Sequence, residues 1–411
     1  MTILLTAALV TLTGFGSWTS IGPEGGDVDL PVVSPDDPLE LWALSGSYPT
    51  NVVHSTDGGA TWETLVLLNG GDTRALTVCP NGDLVAASSG KTFTSTDGGE
   101  SWATHTVSGV YFKVLEAHPT NSDLVYGCGF ITSGGWKAVF LYSTDGGASF
   151  TYDILPTAGS YNFIYANAID ISHSSPNTIL VGAYGYAYKD SSDATNTPFV
   201  FKTTDGGATF TEVTPTDLTT DKNFNGVAIH PTNPDIMLAG SDRSMYRSVN
   251  GGGSWTKVAT VQTDNWEIRF SEADPNYVYA AGHSRIHRST NAGQSWSTVT
   301  TGITGTRIYW IEPSWYNSSD VYIGSQHGFF RSNDCGENWT LSNTGLLVGE
   351  VLAMAESQGW IFMNVLDIGM YKTPSTGPIA WEVVSTPLAC GDFCDICADG
   401  SGVLMALEGA G

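Results

Sequence analysis

Short apolar runs alternate with polar turns along almost the whole chain. One stretch reads Arg74-Ala75-Leu76-Thr77-Val78-Cys79-Pro80, then Asn81-Gly82-Asp83, then Leu84-Val85-Ala86-Ala87-Ser88. The same grammar returns at Gly226 to Pro231, followed by Ile236 to Gly240. Runs of this length bounded by turn residues predict β-strands. Each pair of strands leads into a hairpin. In the first, Asn51 to His54 and Glu63 to Leu67 flank the octapeptide Ser55-Thr56-Asp57-Gly58-Gly59-Ala60-Thr61-Trp62. Its Asp-Gly-Gly core is a tight-turn signal between alternating segments. The Asp carboxylate can accept from the turn's own amides, and the aromatic at the end is a large apolar plug.

The octapeptide recurs at Ser95 to Trp102, Ser143 to Phe150, Thr203 to Phe210, Ser248 to Trp255, Ser289 to Trp296 and Ser332 to Trp339. Spacing of roughly 40 to 60 residues is the period of propellers and solenoids. Four short strands per period predict a propeller blade.

These octapeptides resemble the Asp-box, or BNR, repeat S-x-D-x-G-x-[ST]-[WF]. That superfamily includes sialidases, two-propeller xyloglucanases, sortilin-type receptors and a photosystem II assembly factor. The resemblance covers nearly the whole chain. It implies a β-propeller with Asp57, Asp97, Asp145, Asp205 and Asp334 in structural turns. Asn250 and Asn291 stand where the pattern has Asp, and Cys335 sits inside the seventh turn. Trp62, Trp102, Phe150, Phe210, Trp255, Trp296 and Trp339 would close seven blades. Trp381 would close an eighth, and the C-terminal strands from Phe393 to Leu407 could share a composite ninth with Thr11 to Trp18. The expectation is therefore one all-β ring of eight to nine four-stranded antiparallel blades over residues 18–411, tied by its terminal strands.

Composition narrows the partners. The 411 residues carry 16 Lys and Arg against 41 Asp and Glu, a net charge of −25. That balance argues against nucleic acid or an anionic membrane as partner. No apolar run is long enough to span a bilayer. Residues 1–17 read either as a secretory signal without its usual basic start or as the closing strand. Asp-box propellers are often exported, so the resemblance implies a secreted or cell-surface protein. Six cysteines permit disulfides without proving them. Cys390, Cys394 and Cys397 have the spacing of a cluster motif, but on a predicted propeller strand they read as a local disulfide or buried thiols. No nucleophile elbow, zinc-protease motif, phosphate loop or calcium loop is present, and no cofactor or metal is expected.

In a propeller the first strand of each blade lines the channel. Aligning on the proline that ends this strand yields a polar ring six residues earlier: Asp29, Arg74, Lys113, Asn225, Arg269 and Arg307. Glu350 and Asp392 are the equivalents where the proline is missing, and Asn167 is an approximate one. A water-filled channel needs polar walls in any case. The functional alternative is an anion-receiving basic side facing an acidic one. Trp266, Tyr309, Trp310, Trp315 and Tyr316 add aromatic faces on which sugars could stack, as do Tyr161, Tyr165, Tyr184, Tyr186 and Tyr188. Strands favour aromatics anyway.

Sialidases hold a carboxylate with an arginine cluster, but their early Arg-Ile-Pro signature is missing here. Glycoside hydrolysis in general needs two carboxylates across the scissile bond. Asp29, Glu350, Asp392 and Asp395 are the candidates, and one would need a raised pKa to act as acid. The assembly factor in this superfamily binds its partner through a basic patch, which eight arginines and strong acidity do not suggest here. Three functions remain open: a recognition or scaffold ring for a protein or glycan, a glycoside hydrolase, and a structural surface protein. Fold alone does not decide among them.

Overall fold

The computed structural model describes residues 27–407 apart from 47–49, 69–72, 158–160, 189–193, 219–220, 261–266, 283–284, 300, 304–306, 345, 347–350, 358–359, 366–368, 375–381, 386–393 and 400–401. Residues 1–17, Trp266, Glu350, Trp381, Cys390 and Asp392 thus lie outside the described residues.

Each sheet follows chain order, with every strand antiparallel to the next. The first holds β1 (Val28–Val33), β2 (Leu41–Ser45), β3 (Thr50–Ser55) and β4 (Glu63–Leu68). A six-stranded sheet follows: β5 (Thr73–Val78), β6 (Leu84–Ser95), β7 (Ala103–Ala117), β8 (Val125–Ile131), β9 (Lys137–Ser143) and β10 (Thr151–Ile154). Next come β11 (Phe163–Ile171), β12 (Ile179–Tyr188), β13 (Ala194–Thr203) and β14 (Thr211–Glu212). The fourth sheet is β15 (Phe224–Ile229), β16 (Met237–Ser241), β17 (Ser244–Ser248) and β18 (Thr256–Thr260). The fifth is β19 (Glu267–Phe270), β20 (Val278–Gly282), β21 (Arg285–Ser289) and β22 (Ser297–Val299). The sixth is β23 (Ile308–Pro313), β24 (Val321–Ser325), β25 (Gly328–Ser332) and β26 (Thr340–Leu341). Last are β27 (Val351–Ser357), β28 (Trp360–Val365), β29 (Gly369–Pro374) and β30 (Glu382–Ser385), then a hairpin of β31 (Cys394–Asp399) and β32 (Gly402–Leu407).

The octapeptide turns hold each outer hairpin. Ser55 Oγ donates to Asp57 Oδ1 at 2.9 Å and accepts from the Gly59 amide at 2.9 Å. Asp57 accepts the Thr61 amide at 2.8 Å and the Thr61 hydroxyl at 2.6 Å. The turns of Asp97, Asp145 and Asp205 repeat this pattern. In the seventh, the Asn338 side chain donates to Asp334 Oδ2. Asn250 and Asn291 keep the Oδ1 bonds, while their Nδ2 groups donate to Ser254 and Ser295. Reversing that one donor lets Asn fill the place of Asp. Hydrogen bonds from Ser101 and Ser95 pull the Asp97 carboxyl down to about 2.

The second glycine of each turn lies against strands of the preceding repeat. A Cβ on Gly147 would collide with Val85, on Gly207 with Phe140, on Gly293 with Leu238 and on Gly336 with Tyr279. On Gly59 it would collide with Phe329 of β25, so the first turn lies on the sheet of the seventh. Trp62 meets Phe329 edge-on at 4.7 Å, its amide donates to Thr344 O at 2.8 Å, and Ser342 Oγ donates to Gly59 O at 2.6 Å. β1 also packs on β23 and β24. These contacts close the ring.

The count of eight to nine blades is therefore corrected. The described residues form six four-stranded blades, one six-stranded sheet and a two-stranded hairpin; β1 to β26 supply five of those blades and the six-stranded sheet, and β27 to β30 the sixth blade. Two features misled the repeat count. The second and third repeats share one six-stranded sheet, because β7 runs unbroken from one into the next. After the seventh turn the ring has already met its own start; β27 packs on β31, and the N-terminal half of the expected composite blade, Thr11 to Trp18, lies outside the described residues. The core lies between sheets. β2, β16, β20 and β24 are buried along their whole length.

Candidate functional site

Apart from β19, whose described residues pair in even register, the inner strands of the ring share one irregularity. Opposite its neighbour, β5 carries an extra residue between Thr73 and Ala75, β7 between Phe112 and Val114, and β11 between Ala166 and Ala168. β15 does so between Phe224 and Gly226, and β23 between Ile308 and Trp310. The extra residues are Arg74, Lys113, Asn167, Asn225 and Tyr309. β1 slips in the same region, between Asp29 and Val32. A β-bulge bends its strand and re-aims the bulged side chain. Here all five side chains, with Asp29, line a single cavity of about 640 Å³ at one mouth of the channel. Asp27, Tyr165, Tyr184, Arg307 and Trp310 complete much of its wall. Asn167 Nδ2 donates to Asn225 Oδ1 at 3.1 Å, and the Arg307 guanidinium lies 5.8 Å from the Tyr309 ring.

Loop geometry gives the true register. The amides of Ser34, His118, Ser172, His230, Ser271 and Ser314 each donate to the carbonyl six residues on. Five residues before those amides stand Asp29, Lys113, Asn167, Asn225, Trp266 and Tyr309. Proline follows directly at Pro35, Pro119 and Pro231, but Pro275 lies three residues too late and Pro313 two too early. Alignment on proline therefore placed Arg307 in the ring where Tyr309 stands, and put Arg269 three residues beyond the position that the loop register would give. Arg307 still lines the cavity, from a position just before β23. Trp266 lies outside the described residues.

Arg269 instead sits one layer deeper, at the centre of a buried ionic cluster. Its Nη2 is 3.1 Å from Glu116 of β7, its Nη1 is 3.4 Å from Asp170 of β11, and its Nε is 2.8 Å from Glu267. The Ile229 amide of β15 donates to Asp170 at 2.6 Å. Trp310 stacks over the guanidinium at 5.0 Å, and its indole donates to Glu312 at 3.4 Å. Five inner strands thus meet at one hub, which floors the cavity through Trp310. Sequence reasoning singled out none of Glu116, Asp170, Glu267 or Glu312.

At the far end of β23, Trp315 packs 5.0 Å from His173, which bonds Glu272 at 3.2 Å. The aromatic group expected to act together is therefore divided: Tyr309 and Trp310 face the cavity, Trp315 the other end. Of the carboxylates considered for hydrolysis, Asp29 lines the cavity. Asp395 lies on β31, opposite Ala406. Among the described residues no group of His, Cys, Asp and Glu could hold a metal ion.

Burial and the neighbouring carboxylates set the hub's proton affinities. Burial pushes Glu312 up to about 7 against the pull of Arg269, and raises Asp170 and Glu267 as well. Between 4.5 and about 7 the folded protein holds protons that the unfolded chain has released. Stability contributed by these groups therefore falls as pH rises through that window. Glu312→Gln, which keeps an acceptor for the indole, should flatten the fall. Thermal melts should show parent and variant equal at pH 5 and the variant roughly 1 °C higher at pH 8, equivalent to about 1 kcal/mol for a chain of 411 residues. Parallel melting curves at all pH values would contradict this account.

The architecture is that of a β-propeller of four-stranded antiparallel blades. Solved structures share it. A GH74 xyloglucanase from Xanthomonas campestris matches over 88% of this chain and 67% of its own, at 16% identity and a TM-score of 0.50. An ancestral GH74 enzyme matches over 87% of this chain and 54% of its own, at 15% identity and a TM-score of 0.64. YCF48, solved bound to D1 peptide, matches over 78% of this chain and 96% of its own, at 14% identity and a TM-score of 0.53. At these identities the likeness is one of fold. This chain spans little more than half the length of the ancestral enzyme. No family model and no curated protein matches the sequence. Among the described residues no helix is long and apolar enough to cross a membrane.

Proposed function

We propose that this is an exported recognition propeller that seats a glycan or protein ligand in the channel-mouth cavity. One observation carries the reading: bulges at matching positions on five inner strands aim Arg74, Lys113, Asn167, Asn225 and Tyr309 into one space. Bulges concentrate where a side chain must be re-aimed at a site. A volume of about 640 Å³ falls within the ~300–1,000 Å³ typical of ligand pockets. The octapeptide turns, read as Asp-box repeats, serve the scaffold and stand apart from the cavity.

The test is a glycan and peptide array probed with the parent and with an Arg74→Ala/Tyr309→Ala variant. The parent should retain a coherent ligand class, and the variant should lose about tenfold or more in affinity, as expected on removing a charged contact and a stacking face. Ligands held equally by both proteins would place recognition elsewhere.

Hydrolysis is the second reading, favoured by Asp27 and Asp29 on the cavity wall. A reducing-end assay on plant, algal and bacterial polysaccharides separates the two. Release by the parent and none by Asp29→Asn would replace recognition with catalysis.

A further inference from the structure

The cavity's charge is at odds with the chain's. Acidic residues outnumber basic ones 41 to 16. Yet the wall presents three cations, Arg74, Lys113 and Arg307, against two carboxylates, Asp27 and Asp29. The cations come from separate places: Arg74 from β5, Lys113 from β7 and Arg307 from the approach to β23. Concentrating scarce positive charge in one concave space favours a negatively charged ligand group.

The remaining wall has a second chemistry. Tyr309, Trp310, Tyr165 and Tyr184 offer ring faces and edges. Asp29 can accept hydroxyl protons, and the Asn167–Asn225 pair can both donate and accept. An anion contact, aromatic faces and several hydroxyl partners together describe a sugar ring that bears an acid group. A phosphate or sulfate ion would leave the aromatic wall unused.

The floor adds a geometric limit. Trp310 separates the cavity from the Arg269 hub, whose ion pairs reach across the axis from β19 to β7 and β11. A polymer cannot thread through, so a chain end or side branch must enter. Aromatics continue outward from the wall: Trp136 lies 5.6 Å from Tyr165 and 5.1 Å from Phe163. They offer contacts to the residues that follow the first sugar.

We infer that the cavity binds the acidic end or side branch of a glycan, through a sugar ring carrying a carboxylate. This rests on the mouth cavity being the ligand site. The probes are trigalacturonate, a neutral galactose trimer, a sulfated galactose and an acidic tripeptide, each titrated calorimetrically into the full chain at low and moderate salt. Trigalacturonate should bind at least ~10-fold tighter than the neutral trimer, and salt should weaken it, because exposed charge contacts are screened. Arg74→Ala and Arg307→Ala should each weaken trigalacturonate by about tenfold and shrink its advantage over the neutral trimer. Both arginines are exposed, so neither change disturbs the core, and the salt series tests the charge contact without any variant.

Equal affinity for the neutral trimer would overturn the acidic-sugar assignment and leave the mouth site standing. Tighter binding of the sulfated sugar would overturn the carboxylate. Preference for the tripeptide would overturn the glycan in favour of a protein partner. Silence from every probe, together with a silent array, would overturn both this inference and the function on which it rests.

Discussion

Arg269→Leu is expected to cost about 3–5 kcal/mol of folding stability, the usual consequence of leaving buried charges without their partner. The guanidinium holds Glu116, Asp170 and Glu267 within ion-pair distance and carries Trp310 on its face. Lysine at this position keeps the charge but cannot present three nitrogens to three carboxylates, so Arg269→Lys should fall between parent and leucine variant. The loss has a direction in pH. Without Arg269, Asp170 and Glu267 can still be neutralised by protons, and burial already favours their protonated forms. The penalty should therefore be clearly smaller at pH 5 than at pH 8. Denaturant titration at the two pH values reads both effects. A penalty independent of pH would mean that lost packing, not lost charge balance, explains the change.

The second large effect is expected at the seam of the ring. Trp62 is 5% exposed and wedged against Phe329. Trp62→Ala should cost about 3–5 kcal/mol, as for other large aromatic truncations in cores. Trp62→Phe should cost far less, under about 1.5 kcal/mol. The Trp62 indole nitrogen has no hydrogen-bond partner to lose, and Phe150 and Phe210 fill the same place in other repeats. Trp255 differs, because its indole donates to Val213 O at 2.6 Å. Equal damage from both Trp62 variants, measured by thermal and chemical unfolding, would contradict a packing role at the seam.

The local elements were legible because their causes are local. The octapeptide contains its own hydrogen-bond partners, so Asp57 or Asn250 announces a turn without knowledge of the rest. Polar residues interrupting apolar strands, as at Arg74, Lys113 and Asn225, marked positions that the structure brings to one cavity. The number of blades was not legible, since closure depends on Trp62 meeting Phe329 across most of the chain. Nor was the register of two inner strands, because proline shifts within the loop while the amide bond from Ser271 or Ser314 does not. The hub was invisible for a related reason. Glu116, Asp170, Arg269 and Glu312 stand on different strands, and only the curvature of the ring brings them together.

The turns and the hub give the protein a radial order of proton affinity. On the outer hairpins, hydrogen bonds hold Asp97, Asp205 and Asp334 near 2. On the axis, burial holds Glu312 near 7. As acid is withdrawn the wheel therefore ionises from rim to axle. Across the mildly acidic range its perimeter already carries fixed negative charge while its centre still stores protons.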